Sequence, residues 1–307
     1  MQPAATIRLG TRSSPLARWQ AEWVAAQLQA AGVAVQMVHI TTQGDVKTGP
    51  LGQIGGQGLF TKEIQRSLLN GDIDLAVHSL KDLPTAPVEG LTLAAVPPRE
   101  NTSDVFVGRT AQRLEDLPVG ARIGTGSPRR RAQLLHYRPD LELHDIRGNV
   151  DSRLRKLDAG EYDAIILAQA GLNRLGLAER ITQVLPSEIM LPAVGQGALG
   201  LETRADDAAT RAALAPLDHA PTHQAVLAER TVLSTLRAGC LAPVGVWARI
   251  VADGKLQLDA VVLSEDGRQR VFASGSAEPN DAVALGERIA AELCEQGAEA
   301  LIANARR

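Results

Sequence analysis

The chain has 307 residues, 45% of them hydrophobic and 22% charged, with a formal net charge of −3. That length exceeds one ordinary core and points to two or three domains, while the near-balanced charge excludes bulk recruitment of nucleic acid or of an anionic membrane. Only two cysteines occur, Cys240 and Cys294, without metal-ligand or disulfide spacing, which excludes a disulfide scaffold and predicts no metal and a reducing, cytoplasmic setting. No run of about 18 apolar residues and no cleavage-site pattern in MQPAATIRLGTRSSPLARWQ is present, so a soluble protein is expected.

In chain order, TIRLG reads as a strand, and Ser14 with Pro15 supply an N-cap and first helical residue for a helix reaching Gly32. VAVQMVHI is a second strand, LFTKEIQRSLLNG a helix ending at Gly71, and DIDLAVHSL a third strand whose apolar run suits a buried parallel sheet. A second α/β lobe follows: DVFVG and ARIGT as strands, a helix from Pro128, the strand LELHDI, a helix from Asn149 to Gly160 and the strand YDAIILA. The lobe openings RLGTRSSP and RIGTGSP echo each other, and both pass from a strand through Gly-Thr into a Ser-Pro helix start. Pro97–Ser103 and Met190–Gly200 read as crossovers, after which ALGLETR returns as a strand of the first lobe. A long helix from about Ala220 leads into Cys240, and VGVWARIV, KLQLDAVVLS and RQRVFASGSA predict three antiparallel strands before a last helix from Asn280. The fold expected is α/β: two periplasmic-binding-protein-like lobes (1–98 with 198–217, and 102–197) joined by a double crossover, plus a smaller α+β domain over 220–307.

The chemistry-bearing residues cluster at the ends of these strands. Of the 32 basic residues only Lys47, Lys62, Lys81, Lys156 and Lys255 are lysine, and Ala121–Lys156 holds nine basic against four acidic residues, a local +5 that reads as an anion site. Arg129 and Arg130 stand in the first turn of a helix, where the macrodipole disfavours cations by about 0.3–1 kcal/mol each unless an anion joins them. Arg147 and Arg153 bracket the Asn149 cap in the same manner, and Arg12 precedes the first helix. In DLAVHSLKDLP a buried strand delivers Lys81 and Asp82 to the place where a cleft is expected, while His78 within the strand reads as a hydrogen-bonded core residue. The Gly-rich stretch from Thr41 to Phe60 has no periodicity and reads as a lid; it lacks a phosphate-loop pattern. Gln196, between two glycines, is a candidate ligand donor; Cys294 reads as a core residue, and Cys240 as a loop thiol with no local base.

AVHSLKDLP, PRRRAQL with IRGNVDSRL, LPAVGQGALGLE and GCLAPVG, in this order and spacing, resemble the porphobilinogen deaminase (hydroxymethylbilane synthase) family over about Arg8 to Gly245. The resemblance implies a transferase of tetrapyrrole biosynthesis that joins four porphobilinogen molecules head to tail, losing ammonia each time, on a dipyrromethane cofactor bound by a thioether to Cys240. It further implies Asp82 as the catalytic carboxylate, with Lys81, Ser127, Arg129, Arg130, Arg147 and Gln196 around the cofactor. Arg12, Arg147, Arg153 and Phe60 would meet substrate, and the protein would act as a monomer. Two positions depart from the family pattern: Gln57 replaces a frequent lysine, and Gly126-Ser127-Pro128 replaces Ser-Ser-Leu before the paired arginines. The competing class is a two-lobed binding protein for a small polycarboxylate; nucleic-acid binding is weakened by an aromatic content of 3%.

Overall fold

In the computed structural model of the chain the described residues are 6–41, 61–239 and 242–305. The expectations for the lid, Gln57, Phe60 and Cys240 therefore lie outside the described residues. The chain forms two compact units, Met1–Arg99 with Ala198–His223, and Glu100–Gly197 with Gln224–Arg307. The chain leaves the first unit after Arg99, returns at Ala198 and leaves again after His223. Among the described residues no helix is long and apolar enough to cross a membrane.

The first unit is built on β1 (Ile7–Thr11), β2 (Val35–His39), β3 (Leu75–Ser79), β4 (Leu91–Ala95) and β10 (Leu199–Arg204), in the order β2-β1-β3-β10-β4. β1 pairs in parallel with β2 and β3, and β10 runs antiparallel to β3 and β4. Helix α1 (Pro15–Ala30) starts at Ser14, whose side chain accepts from the Ala17 N–H. Its residues Ala21, Val24, Ala25 and Leu28 recur at helical spacing and pack on Leu9, Leu75, Val77 and Leu201. On the opposite sheet face, Ile64 and Leu68 of α2 (Lys62–Leu69) pack with Ile73 and Ala76. With both faces covered, β3 is apolar at consecutive positions, which makes it legible as a buried strand.

The second unit holds two sheets. One comprises β5 (Asp104–Gly108), β6 (Arg122–Gly124), β7 (Glu142–His144), β8 (Ala164–Ala168) and the two-residue β9 (Gln183–Val184), ordered β7-β6-β8-β5-β9. Its pairing sense repeats that of the first unit, with β6 parallel to β7 and β8, and β5 antiparallel to β8 and β9. Helix α3 (Pro128–Tyr137) is capped by Ser127, and α4 (Val150–Asp158) by Asn149. The other sheet is the expected antiparallel meander, β11 (Val244–Ile250), β12 (Leu256–Leu263) and β13 (Arg270–Ala277). Val232, Val246, Leu258, Ile289 and Leu293 are the centre of its core, contributed by the strands, by the helix Ala220–Thr235 and by the helix Ala282–Glu295. Cys294 packs half-buried against this core, and burial pushes its thiol pKa up.

Within this unit one carboxylate ties the returning crossover to the meander. Glu229, fully buried on the helix Ala220–Thr235, accepts from the Gly195 N–H at 2.7 Å and the Ala248 N–H at 2.9 Å. Glu229→Leu orphans both donors, at about 1–3 kcal/mol for each. The expected result is a lowered urea midpoint, with a smaller loss in Glu229→Gln, whose amide oxygen keeps one acceptor.

Candidate active site

A cavity of about 80 Å³ lies in the first unit, lined by Arg12, Ser14, Gln20, Thr61, His78 and Asp82 among others. Its position follows from topology. In the order β2-β1-β3 the chain steps to opposite sides of β1, and the carboxyl ends of β1 and β3 flank the crevice that this reversal leaves. Arg12 is the residue after β1. Asp82 ends the 3-10 turn Leu80–Asp82 that follows β3, with its side chain exposed and half-buried Lys81 beside it. Gln20 and Ser79 form a fixed wall through a 2.8 Å hydrogen bond from the Gln20 amide to the Ser79 hydroxyl. The Thr61 hydroxyl is buried on the lining without a hydrogen-bond partner among the described residues, a deficit that a bound polar group would make good.

The sequence reading brought Arg12 and Asp82 to this place but treated Ser14 as a cap only and His78 as core, and it did not single out Gln20, Ser79 or Thr61. The signal for Gln20 was available: a polar residue on the apolar face of α1 calls for a polar neighbour. His78 is buried as expected, with Nε2 at 3.0 Å from the Glu202 carboxylate, and it also borders the cavity.

In the second unit the paired arginines sit on an internal carboxylate. Asp104 is fully buried at the start of β5; Arg129 Nη1 donates to its Oδ2 at 2.7 Å, and Arg130 donates to Oδ1 through Nε at 2.9 Å and Nη2 at 2.7 Å. Leu191 O and Ile166 O accept further bonds from Arg129 and Arg130. Gln196, 1% exposed, donates to Thr102 O at 2.6 Å and to Asp104 Oδ1 at 3.2 Å. Burial alone would raise the Asp104 pKa, but the attraction of Arg129 and then of Arg130 outweighs it and holds the carboxyl at about 2. One anion and two cations leave this buried group with net charge +1. Arg129 Nε, buried without a partner among the described residues, adds a donor to it.

The local +5 is thus largely committed to structure. Two carboxylates from outside that window enter the balance: Asp104, and Asp163 at 3.5 Å from Arg122. Inside it, Arg131 pairs with Asp145 and Arg138 with Asp140. Ser127 caps α3 through the Arg130 N–H, with Pro128 at the first helical position, so the Ser-Pro departure defines a regular helix start. Arg153 donates from Nε to Gly148 O at 2.8 Å. The half-buried Arg147 side chain makes no hydrogen bond or ion pair among the described residues, leaving its guanidinium available for an acid. No group of three or more His, Cys, Asp or Glu placed for a metal ion occurs among the described residues.

A polar cavity at a strand switch point in one α/β unit, and a net-positive arginine–carboxylate group in the other, suit a small acidic molecule. Residues 7–212 match the family model "Porphobilinogen deaminase, dipyromethane cofactor binding domain", and residues 223–295 match "Porphobilinogen deaminase, C-terminal domain". The chain is 52% identical over 303 residues to the porphobilinogen deaminase of Desulforudis audaxviator, covering 98% of each chain. It is 46% identical over 306 residues to that of Chlorobium luteolum, covering 97% of each. The chain belongs to the porphobilinogen deaminase family. Among solved structures it is similar to the methionine-binding protein MetQ, with TM-score 0.44, 15% identity, and coverage of 67% of this chain and 86% of that one. A nutrient-binding protein from Burkholderia cenocepacia bound to methionine gives TM-score 0.42 at 13% identity, covering 68% and 90%.

Replacing Asp104 by Asn leaves two buried guanidinium groups without their counter-ion, at a cost of about 3–5 kcal/mol. Because the folded pKa is depressed from 3.8 to about 2, the stability from Asp104 is complete above pH 3.8 and drains away as pH falls through 2. Chemical denaturation across that interval is expected to show the loss in the parent protein and its absence in Asp104→Asn.

Proposed function

We propose that this chain performs the reaction of its family: it joins four porphobilinogen molecules head to tail with loss of ammonia, on a dipyrromethane held by Cys240, and releases hydroxymethylbilane by hydrolysis. The observation that carries the reading is the meeting of Arg12 and Asp82 on one cavity, together with a buried hydroxyl that lacks a partner among the described residues. A pyrrole bearing acetate, propionate and aminomethyl groups offers what these residues need. Arg12 takes a carboxylate in a charge-assisted pair, and Asp82 accepts the pyrrole N–H. When the aminomethyl C–N bond breaks, its electron pair leaves with nitrogen as ammonia and the ring becomes a cationic azafulvene. A fixed carboxylate at that ring stabilises the charge as it develops, without reorganising.

The residues present fit a polycarboxylate cofactor. Lys81, Ser127, Arg129, Arg130, Arg147 and Gln196 would hold it, the Asp104 group supplying a buried net +1 and Arg147 a guanidinium without an acid partner among the described residues. That cofactor supplies a free pyrrole α-carbon as the point of growth. Arg147 and Arg153 would neutralise further carboxylates as the product lengthens, and Phe60 would stack on a pyrrole ring. Segments 1–98 with 198–217, and 102–197, act in this reading as two ligand-handling lobes, and 220–307 as the cofactor-bearing domain. The protein is taken as a cytoplasmic monomer acting without nucleic acid or membrane, in keeping with its net charge of −3 and few aromatics. A polycarboxylate-binding protein, the competing class, has no observation in its favour beyond the acidic ligand.

The intact mass of the denatured protein is expected to exceed the polypeptide by two deaminated porphobilinogen units, and Cys240→Ser is expected to show the bare polypeptide mass. Asp82→Asn is expected to keep the added mass and to lose turnover by about 10²-fold, as removal of one transition-state electrostatic partner does. A parent protein that stays at polypeptide mass after incubation with porphobilinogen would refute the reading.

A further inference from the structure

Beneath the cavity of the first unit lies a second acid–base group. Glu202 on β10 is 6% exposed, and both its carboxylate oxygens are engaged: Oε1 accepts from the Gln65 amide at 2.9 Å, and Oε2 faces His78 Nε2 at 3.0 Å. The sheet places them together. Glu202 is opposite Ala76 in the β3–β10 ladder, two residues from His78, and the register of β10 against β4 shifts between Leu201 and Glu202. Such an irregularity re-aims a side chain next to a site. Gln65 comes from α2, the helix that begins after Thr61 and whose Ile64 lines the cavity.

The chemistry follows from the donor count. An ionised carboxylate only accepts, so the imidazole nitrogen facing it carries the hydrogen. In the neutral ring the lone pair then belongs to Nδ1. That nitrogen has no partner among the described residues, and His78 borders the cavity that Asp82 also borders. A buried carboxylate behind an imidazole fixes the tautomer and stabilises the imidazolium that forms when the free nitrogen takes a proton. His78 meets Glu202 from β10, which Gln65 of α2 also contacts, and shares the cavity lining with Asp82 from the turn after β3, Arg12 after β1 and the neutral Thr61.

Building on the function above, we propose that His78 is a further catalytic residue, the proton acceptor of the coupling step, with Glu202 as its positioning residue. Coupling forms a carbon–carbon bond between the α-carbon of the terminal pyrrole ring and the azafulvene methylene. That α-carbon then carries both its old hydrogen and the new carbon, and its ring is cationic. The C–H bond breaks, its electron pair restores the aromatic ring, and the proton passes to His78 Nδ1. From there it goes to the ammonia that each addition releases, which departs as ammonium, so one proton lost matches one ammonia expelled. Two acid–base groups on one cavity thereby divide the work: Asp82 keeps its charge to hold the cation, and His78 takes the proton.

The test uses porphobilinogen deuterated at its free α-carbon with the parent protein, His78→Gln and Glu202→Gln. His78→Gln keeps a donor toward Glu202 and removes the base. It is expected to load its cofactor mass, to lose about 10²-fold in kcat with KM little changed, and to show a larger deuterium effect on turnover than the parent. Glu202→Gln should move both quantities in the same direction by less. Independently of turnover, imidazole nitrogen NMR of the Cys240→Ser protein is expected to show hydrogen on Nε2 and a bare Nδ1 for His78, a preference lost when Glu202→Gln is added. Parent-like kcat in His78→Gln, a loss of kcat with an unchanged deuterium effect, or hydrogen on Nδ1 would each overturn the proposal. If a variant does not fold, the tautomer in the Cys240→Ser protein decides. A parent protein that frees no ammonia from porphobilinogen would instead remove the functional reading on which this rests.

Discussion

The second unit is organised around the neutralisation of Asp104. A carboxylate with no exposure to water is tolerable only when charge and hydrogen bonds compensate it, and two separate parts of the chain are drawn in to do so. Arg129 and Arg130 come from the start of α3, and Gln196 comes from the crossover that returns the chain. Those bonds fix where α3 begins relative to β5 and where the Gly195–Gly197 turn lies. Glu229 then holds the same turn from the opposite side through the Gly195 N–H. Two arginines for one aspartate leave a positive remainder, and the proposed function assigns an acidic ligand to it.

Much of this was legible in the sequence, for reasons that differ by element. Buried strands such as DLAVHS and DAIILA announce themselves because sheets covered on both faces require consecutive apolar residues. The Ser14-Pro15, Ser127-Pro128 and Asn149 caps mark helix starts through chemistry local to the turn. The half-buried edge strand Leu91–Ala95 lacks a comparable local signal, and its place beside β10 is fixed by a partner more than a hundred residues away. The short helix Ala208–Leu214, capped by Asp207, is held to the sheet through tertiary contact and also went unread.

Site residues divide in the same way. Asp82 and Arg12 were readable because they follow strands directly, and strand ends in such sheets border a crevice. The charge sum over Ala121–Lys156 counts neighbours in sequence, whereas Asp104 on β5 and Asp163 just before β8 enter the balance from outside that window. His78 was assigned to the core on sound grounds, since a histidine in an apolar strand is usually a packed and satisfied group. Satisfied at one nitrogen, it still has another. The partner that determines which one is free, Glu202, lies 124 residues on.

The two lobe sheets repeat one strand order and one set of senses, and the Gly-Thr turns after β1 and β6 are both closed by their threonine hydroxyls. Each sheet also carries a buried carboxylate on its lone antiparallel interior strand, Glu202 on β10 and Asp104 on β5. The difference between them lies in the partner. Asp104 is met by guanidinium groups, which keep their charge at any ordinary pH, so that carboxylate can only hold structure and field. Glu202 is met by an imidazole and a neutral amide, and an imidazole exchanges its proton in the range where enzymes work. One strand order thus sets a buried acid opposite arginines in one unit and opposite a histidine in the other, and the proposed division between ligand binding and proton transfer follows that choice of partner.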